Sequence, residues 1–433
     1  MKCLASAAAT LLGVVGVVGC GASAVRPTAL VLGPEVLASV NEDGGRIRVE
    51  PSIVRTGETV AVAWNDSWAG RTRGSSIGVG IAWSHSSDGG RSFAFGDYMP
   101  GVSGADSWLS ATPRGEILLQ LLSWIPGEQT IRVYARGADQ KWTVRGVAAG
   151  GTNVDKPAMA TAAGDWVGIA YTAGYEIRFV RSQDAGTTWR PAIALSASST
   201  RTRTGAAIAA CGSRVLVAWL EGGGVTLNEV WASSSVDGGR SFSEPTRVHT
   251  LARSLQPPPG YALGVGPAAF ISNNAWLTCS GDSEPAFHLT YSEGRIDGAA
   301  VLYQRSRIVN ARAEWESPAV IAGGDSVWAF WPSVSVLGDG LAILYYDSRH
   351  SANGQQVMDA YLSVGTPGSF TSHRLSTVST SWPGVAGDLE YAPVHRNFGD
   401  YITVSTDGRR GAAAWTDGRT GAPRIMVRTF ELR

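Results

Sequence analysis

One short phrase occurs three times in this chain: Ser86-x-Asp88-x-Gly90-x-Ser92-Phe93, Ser182-x-Asp184-x-Gly186-x-Thr188-Trp189 and Ser235-x-Asp237-x-Gly239-x-Ser241-Phe242. Each copy follows an alternating apolar run and closes on an aromatic residue. That is the pattern of a tight turn whose carboxylate binds its own backbone amides while its ring fills the gap between neighbouring sheets. A supersecondary unit repeated in this way fixes the architecture as an array of similar sheets.

The rest of the chain agrees with a large all-β body. Its 433 residues include 54 glycines and 16 tryptophans but only 17% charged residues, a turn-rich composition with ample apolar material for a core. Formal net charge is zero and Lys and Arg are spread along the sequence, so no electrostatic footprint for nucleic acid is present. Residues 1–20 begin Met1-Lys2, continue through an apolar stretch and end Val17-Val18-Gly19-Cys20, the pattern of an export signal with a lipid-attachment box. Cleavage before Cys20 and acylation of that residue are expected, with a tether over 21–28 and a body over 29–433. The mature protein would then be held on a bacterial envelope membrane outside the cytoplasm, with Gly21 after the cysteine pointing to the outer membrane. Cys211 and Cys279 remain in the mature chain, either paired or separately buried. Their spacing and the scattered histidines match no metal-ligand pattern, and no cofactor is expected.

Between the turns, a triplet of strand segments recurs roughly every 45 to 55 residues, the size of a four-stranded propeller blade. The middle strands are the clearest: Thr59 to Trp64, Glu116 to Trp124, Trp166 to Tyr171, Arg214 to Trp219, Phe287 to Tyr291, Leu341 to Tyr346 and Gly411 to Trp415. Decayed copies of the turn fall at Ala135 to Trp142, Arg305 to Trp315 and Ser363 to Phe370. The reading is a seven-bladed β-propeller, with a six-bladed ring as the alternative if Tyr261 to Trp315 is an insertion. The last blade lacks an outer strand after Arg433, and the apolar segment Ala29 to Val40 is placed to supply it and remove the exposed edge. Leu255 to Gly260 and Val378 to His395 read as loops, the second either functional or a cover.

Strand alternation then sorts the polar residues by face. The repeated turns share one face, so their aspartates serve the turns. On the opposite face, residues after the second strands (Asp66, Glu221, Glu293, Asp347 with Arg349, Asp417 with Arg419) meet those before the first strands (Arg46, Arg48, Asp155, Arg201, Arg203, Arg396, Asp400, Tyr401). Guanidinium groups and carboxyls at one opening suit an anionic or polyhydroxylated ligand. The same pairs also suit salt bridges between strands.

The repeated turns, spaced by blades and following a lipid signal, resemble the Asp-boxes of the sialidase-like propeller superfamily, the bacterial neuraminidase repeat proteins, over nearly all of the mature chain. The resemblance implies a glycan as partner and, in the hydrolytic members, an arginine triad, an Asp acid/base and a Tyr nucleophile paired with Glu. Residue by residue it points to Arg48 in the opening Arg46-Ile47-Arg48-Val49-Glu50-Pro51, to Asp66 as acid/base, and to Tyr401 as nucleophile at the start of the last blade. Glu221 would be its acidic partner, with Asp417 at the acidic end of the nucleophile strand; Arg201, Arg203, Arg305 and Arg349 compete for the remaining arginines, and Arg419 is a further substrate-binding candidate. The expected function is glycan engagement at the channel mouth with sialidase-type hydrolysis, or binding without catalysis by a surface scaffold.

Overall fold

The computed structural model describes residues 29–41, 48–67, 79–99, 103–125, 128–137, 139–196, 200–223, 226–255, 273–281, 283–352, 357–381 and 399–433. Cys20, Arg46 and Arg396 lie outside them, as does most of each of the two long loops.

The described strands form seven antiparallel sheets in ring order, a seven-bladed β-propeller. The inner strands are Arg48–Thr56, Gly104–Ala111, Val154–Ala162, Thr202–Cys211, Trp276–Ser280, Ala329–Leu337 and Thr403–Asp407. The second strands are Thr59–Asp66, Ile117–Ile125, Trp166–Ala173, Arg214–Gly223, Ala286–Gly294, Gly340–Asp347 and Arg410–Asp417, matching all seven expected middle strands. Trp276–Ser280, Ala286–Gly294, Ala299–Val309 and Arg312–Trp315 make a complete fifth blade, so the six-bladed alternative is corrected. Leu30–Leu37 pairs antiparallel with Arg424–Leu432, from Leu30↔Leu432 to Leu37↔Met426, and supplies the outer strand of the seventh blade. Among the described residues no helix is long and apolar enough to cross a membrane.

Second strands are buried on both faces because blades stack face to face, and they therefore read as continuous apolar runs. Ala61, Ala63 and Trp83 of blade 1 pack on Leu119, Leu121 and Tyr134 of blade 2, each large side chain contributing about 1.5–3 kcal/mol by leaving water. The repeated turns lock these stacks. Asp184 accepts the amides of Thr187 and Thr188 at 3.1 and 2.8 Å and the Thr188 hydroxyl at 2.6 Å, while Ser182 Oγ takes the Gly186 amide at 2.9 Å. Partial burial raises the Asp184 pKa, but the Ser182 and Thr188 hydrogen bonds outweigh it and hold the carboxyl at about 2. Gly186 has φ +87°, a conformation costly for any other residue. The terminal rings fill the seams: Phe93 packs with the blade 7 cluster, Trp189 with blade 2, and Phe242 lies edge-on to Phe179 of blade 3 at 4.9 Å.

Cys211 of the blade 4 inner strand is disulfide-bonded to Cys279 of the blade 5 inner strand, 68 residues away, which decides the pairing the sequence left open. By loop entropy a link of this span contributes about 2–5 kcal/mol. Reduction, or the Cys211→Ser/Cys279→Ser variant, is therefore expected to lower the denaturation midpoint by several degrees. An unchanged midpoint by calorimetry with and without reductant would contradict this.

Candidate functional site

The geometry of the mouth originates in an irregularity shared by the inner strands. In blades 1, 2, 3, 4 and 6 the pairing slips at the same place, so that two inner-strand residues face one residue of the second strand. The first residue of each bulge has positive φ: Glu50 at 58°, Asp106 at 51°, Lys156 at 46°, Gly205 at 64° and Trp331 at 52°. Four of these five are not glycine, and a left-handed conformation costs a non-glycine residue of order 1–3 kcal/mol, so the rest of the blade holds them there. In blades 5 and 7 the regular pairing begins at Trp276 and Thr403, and the residues two before these, Asn274 and Tyr401, occupy the corresponding register positions. Trp331 packs on Phe330 and Tyr346.

The bulges bring together residues remote in sequence. Lys156 Nζ makes ion pairs with Asp106, at 3.3 Å, and with Asp400. Asn65 donates to Glu50 at 2.7 Å, and Asn274 donates to the Asp400 carbonyl at 3.0 Å. Gly399, with φ +96°, lies against Glu50, where an added Cβ would come within 2.8 Å of Cγ. Below this cluster the rings of Trp108 and Trp276, from blades 2 and 5, stack at 4.4 Å and 18° and bridge the channel. They line both the hollow on the mouth side, with Asp106, Lys156 and Tyr401, and the vestibule on the side of the repeated turns.

These charges shift one another. Burial raises Glu50 well above its ordinary value of 4.5; the nearby Lys156 opposes the rise, and Asp400 and Asp106 reinforce it. Burial would lower Lys156, but Asp106, Asp400, Glu50 and Asp155 together hold it well above the ordinary ammonium value. Asp155 retains solvent contact at the rim, yet burial of its carboxyl, opposed by Lys156 and reinforced by Asp106, pushes it up to about 6. Among the described residues no cluster of His, Cys, Asp and Glu is arranged to hold a metal ion.

Most of the residues named from the sequence are not part of this cluster. Asp66, Glu221 and Asp417 each stand two residues after a buried tryptophan, on the same side of the strand. Each accepts that indole N–H, at 3.1, 3.4 and 3.4 Å, a partner that a buried tryptophan requires. Arg48 pairs with Asp66 directly across the strands at 3.3 Å, both side chains fully buried. Arg203 and Arg201 both bind Glu221, each at 2.7 Å. Arg349 is bound to Asp347 and lies over Tyr361, and Arg419 binds Asp417 and Glu35. In the structure these residues form strand-end ion pairs, apart from the cluster around Lys156.

Tyr401 does face the mouth. It is only 6% exposed, and its hydroxyl donates to the Ser107 carbonyl at 3.4 Å rather than to a carboxylate. Burial, followed by Glu50 and Asp106, pushes its phenol well above the ordinary value, which disfavours the phenolate form a nucleophile needs. Glu50, Asp106 and Lys156 were not singled out by strand-end reasoning. The available signal was the Glu50-Pro51 and Lys156-Pro157 pairs at inner-strand starts, where proline marks a break in regular pairing.

Fold and site together define a propeller with an acidic mouth centred on one lysine. No protein-family model and no curated protein sequence matches the chain. Among solved structures it is similar to a polysaccharide lyase, an ulvanlyase, with TM-score 0.50 and 8% identity over 91% of this chain and 95% of that one. It is also similar to the α-L-arabinanase of Penicillium chrysogenum (TM-score 0.47, 15% identity, 73% and 94% covered) and to the NanB sialidase of Streptococcus pneumoniae (0.44, 10%, 72% and 66%). At these identities the likeness concerns the fold.

The raised Glu50 pKa fixes a sign. Below about pH 4.5 the group is protonated in both folded and unfolded chains. Above it the unfolded chain releases the proton while the folded one keeps it, so this contribution to stability falls as pH rises toward the folded pKa. Glu50→Gln removes the fall. Its melting temperature is expected to gain on the parent between pH 4.5 and pH 7.5, and a constant difference across that range would contradict the assignment.

Proposed function

We propose that the channel mouth engages a polyhydroxylated glycan and cleaves a glycosidic bond by acid–base catalysis. One observation carries the reading: four carboxyl groups from blades 1, 2, 3 and 7 gather around one ammonium, which lines a hollow together with Asp106, a phenol and a stacked indole pair. Paired carboxyl groups with divergent proton affinities are what glycoside cleavage requires. Glu50 is the proton donor, and the ion-paired carboxylate of Asp400 beside it is the base or nucleophile. Trp108 and Trp276 give the apolar floor on which a sugar face stacks. A neutral glycan fits this mouth better than a sialoside, whose own carboxylate would meet Asp106, Asp155 and Asp400 with Lys156 already engaged. Sialidase-type hydrolysis, with Tyr401 as nucleophile, is thus the less favoured form of the proposal. A fold shared with a polysaccharide lyase is consistent with work on glycans.

Binding without cleavage is the second reading, favoured by the near-complete burial of Glu50 and Tyr401 at 5% and 6% exposure. Display on the bacterial envelope through an acylated Cys20 belongs to the same proposal. The Cys211–Cys279 bond supports it, since disulfides persist in oxidising compartments.

A panel of fluorogenic glycosides, a sialoside included, separates the readings. Cleavage of a neutral glycoside is expected, and Glu50→Gln is expected to lower kcat by on the order of 10²–10⁴ with KM little changed. No turnover of any glycoside, with glycan-array binding that Lys156→Met abolishes, selects the binding reading. Neither turnover nor binding contradicts both.

A further inference from the structure

A second site lies on the opposite face, at the seam where the last blade meets the first. A groove of about 240 Å³ runs there between the repeated turn of blade 1 and the strand that closes the ring. Four arginines line it, Arg55, Arg91, Arg410 and Arg433, against two acids, Glu58 and Glu431. The acids are each committed, Glu58 to Arg410 and Glu431 to Arg433. Asp88, in the adjoining turn, is occupied by the amides of Arg91 and Ser92 and by the hydroxyls of Ser86 and Ser92.

Among the described residues two guanidinium groups therefore make no direct ion pair, although Glu58 lies close enough to act on both. Arg91 is exposed at the lip, and among the described residues its guanidinium donates to the Asp88 carbonyl alone, at 3.1 Å. Arg55 is 5% exposed; its Nη1 donates to the Gly89 carbonyl at 3.1 Å, and its Nε has no hydrogen-bond partner among the described residues. A buried guanidinium with one backbone acceptor is an unusual arrangement, because burying a charge is costly unless a counter-charge accompanies it. Burial and the neighbouring Arg410 depress the Arg55 pKa, and the nearby Glu58, Asp407 and Glu431 offset this only in part.

We propose that this groove binds a phosphate group, with Arg55 and Arg91 as its donors and Arg410 recruited from Glu58. Phosphate presents several strong acceptor oxygens and close to two negative charges, which match a guanidinium fork. Glu58 competes with the ligand for Arg410. The phosphate comes either from the free ion or from a phospholipid headgroup. The second source rests on the acylation of Cys20 proposed above: Ala29 and Arg433 exchange backbone hydrogen bonds of 3.1 and 3.0 Å at the groove's edge, so the chain enters the body there. Nine residues reach about 30 Å at full extension, which keeps the groove close to a lipid surface.

The test is titration of the purified protein with inorganic phosphate by calorimetry, at ionic strength held constant with chloride. Saturable binding is expected, weakened at least tenfold in Arg91→Ala and tightened several-fold in Glu58→Gln. The second variant removes a competing negative charge and does not rely on a loss that misfolding would imitate. Sedimentation with phosphatidylglycerol vesicles, against phosphatidylcholine alone, distinguishes the sources. Vesicle binding lost in Arg91→Ala, without binding of the free ion, assigns the lipid headgroup. No phosphate binding and no vesicle binding, or affinities equal in parent, Arg91→Ala and Glu58→Gln, overturns the proposal.

Discussion

Pairing of Leu30–Leu37 with Arg424–Leu432 is the contact on which the rest of the molecule depends. Without it the seventh blade would end in an open strand edge, and the seam with blade 1 would rest on the hydrogen bonds of Thr403, Ser405 and Asp407 to Pro51, Arg55 and Gly57 and on the shared apolar cluster alone. With it, Asp400 and Tyr401 at the end of the chain are brought beside Glu50 near its beginning, and Lys156 is placed to bind Asp400, 244 positions further along the chain. The same seam creates the arginine groove on the other face, because Arg55 belongs to the first blade and Arg410 to the last. The junction of the last blade with the first thus contributes to both candidate sites.

Charge is used in two ways on the mouth face. At the strand ends, Arg48 lies directly opposite Asp66 and Arg203 directly opposite Glu221, which Arg201 also binds, and each acid also accepts a buried indole N–H. Removing one partner from such a pair costs about 3–5 kcal/mol, so these residues belong to the framework. In the channel the charges are unmatched, with one ammonium serving several carboxyl groups; burial drives Glu50 to retain its proton, and the neighbouring Asp400 and Asp106 add to it. The bulges add backbone strain at the same residues. Strain and unmatched charge are costs that folding alone gives no reason to keep, which is the physical argument for placing function there.

What could be read from the chain followed from locality. Turn chemistry and strand alternation are short-range, so the three Ser-x-Asp-x-Gly turns, the seven second strands and the closing role of Ala29 to Val40 were legible. The face opposite the turns was legible too, and Asp155, Asp400 and Tyr401 lie on it. Choosing among the residues of that face was not. Trp64-x-Asp66 reads equally as a presented acid and as an indole with its acceptor, and only the register Arg48↔Asp66 decides. Glu50, Asp106 and Lys156 escaped because a two-against-one bulge shifts the alternation that assigns residues to faces. Pairing of Cys211 with Cys279 depends on how blade 4 docks on blade 5, which no local pattern encodes.

Hydrogen exchange read by mass spectrometry, with and without a pool of neutral oligosaccharides, tests the central claim most directly, since it reports where a glycan sits whether or not it is cleaved. The account predicts slowed exchange at the inner-strand starts, around residues 49–50, 106–108, 155–156 and 399–402, with the repeated turns at 86–93, 182–189 and 235–242 unchanged. Protection confined to the turn face or to the outer strands, with the channel starts unaffected, would contradict it.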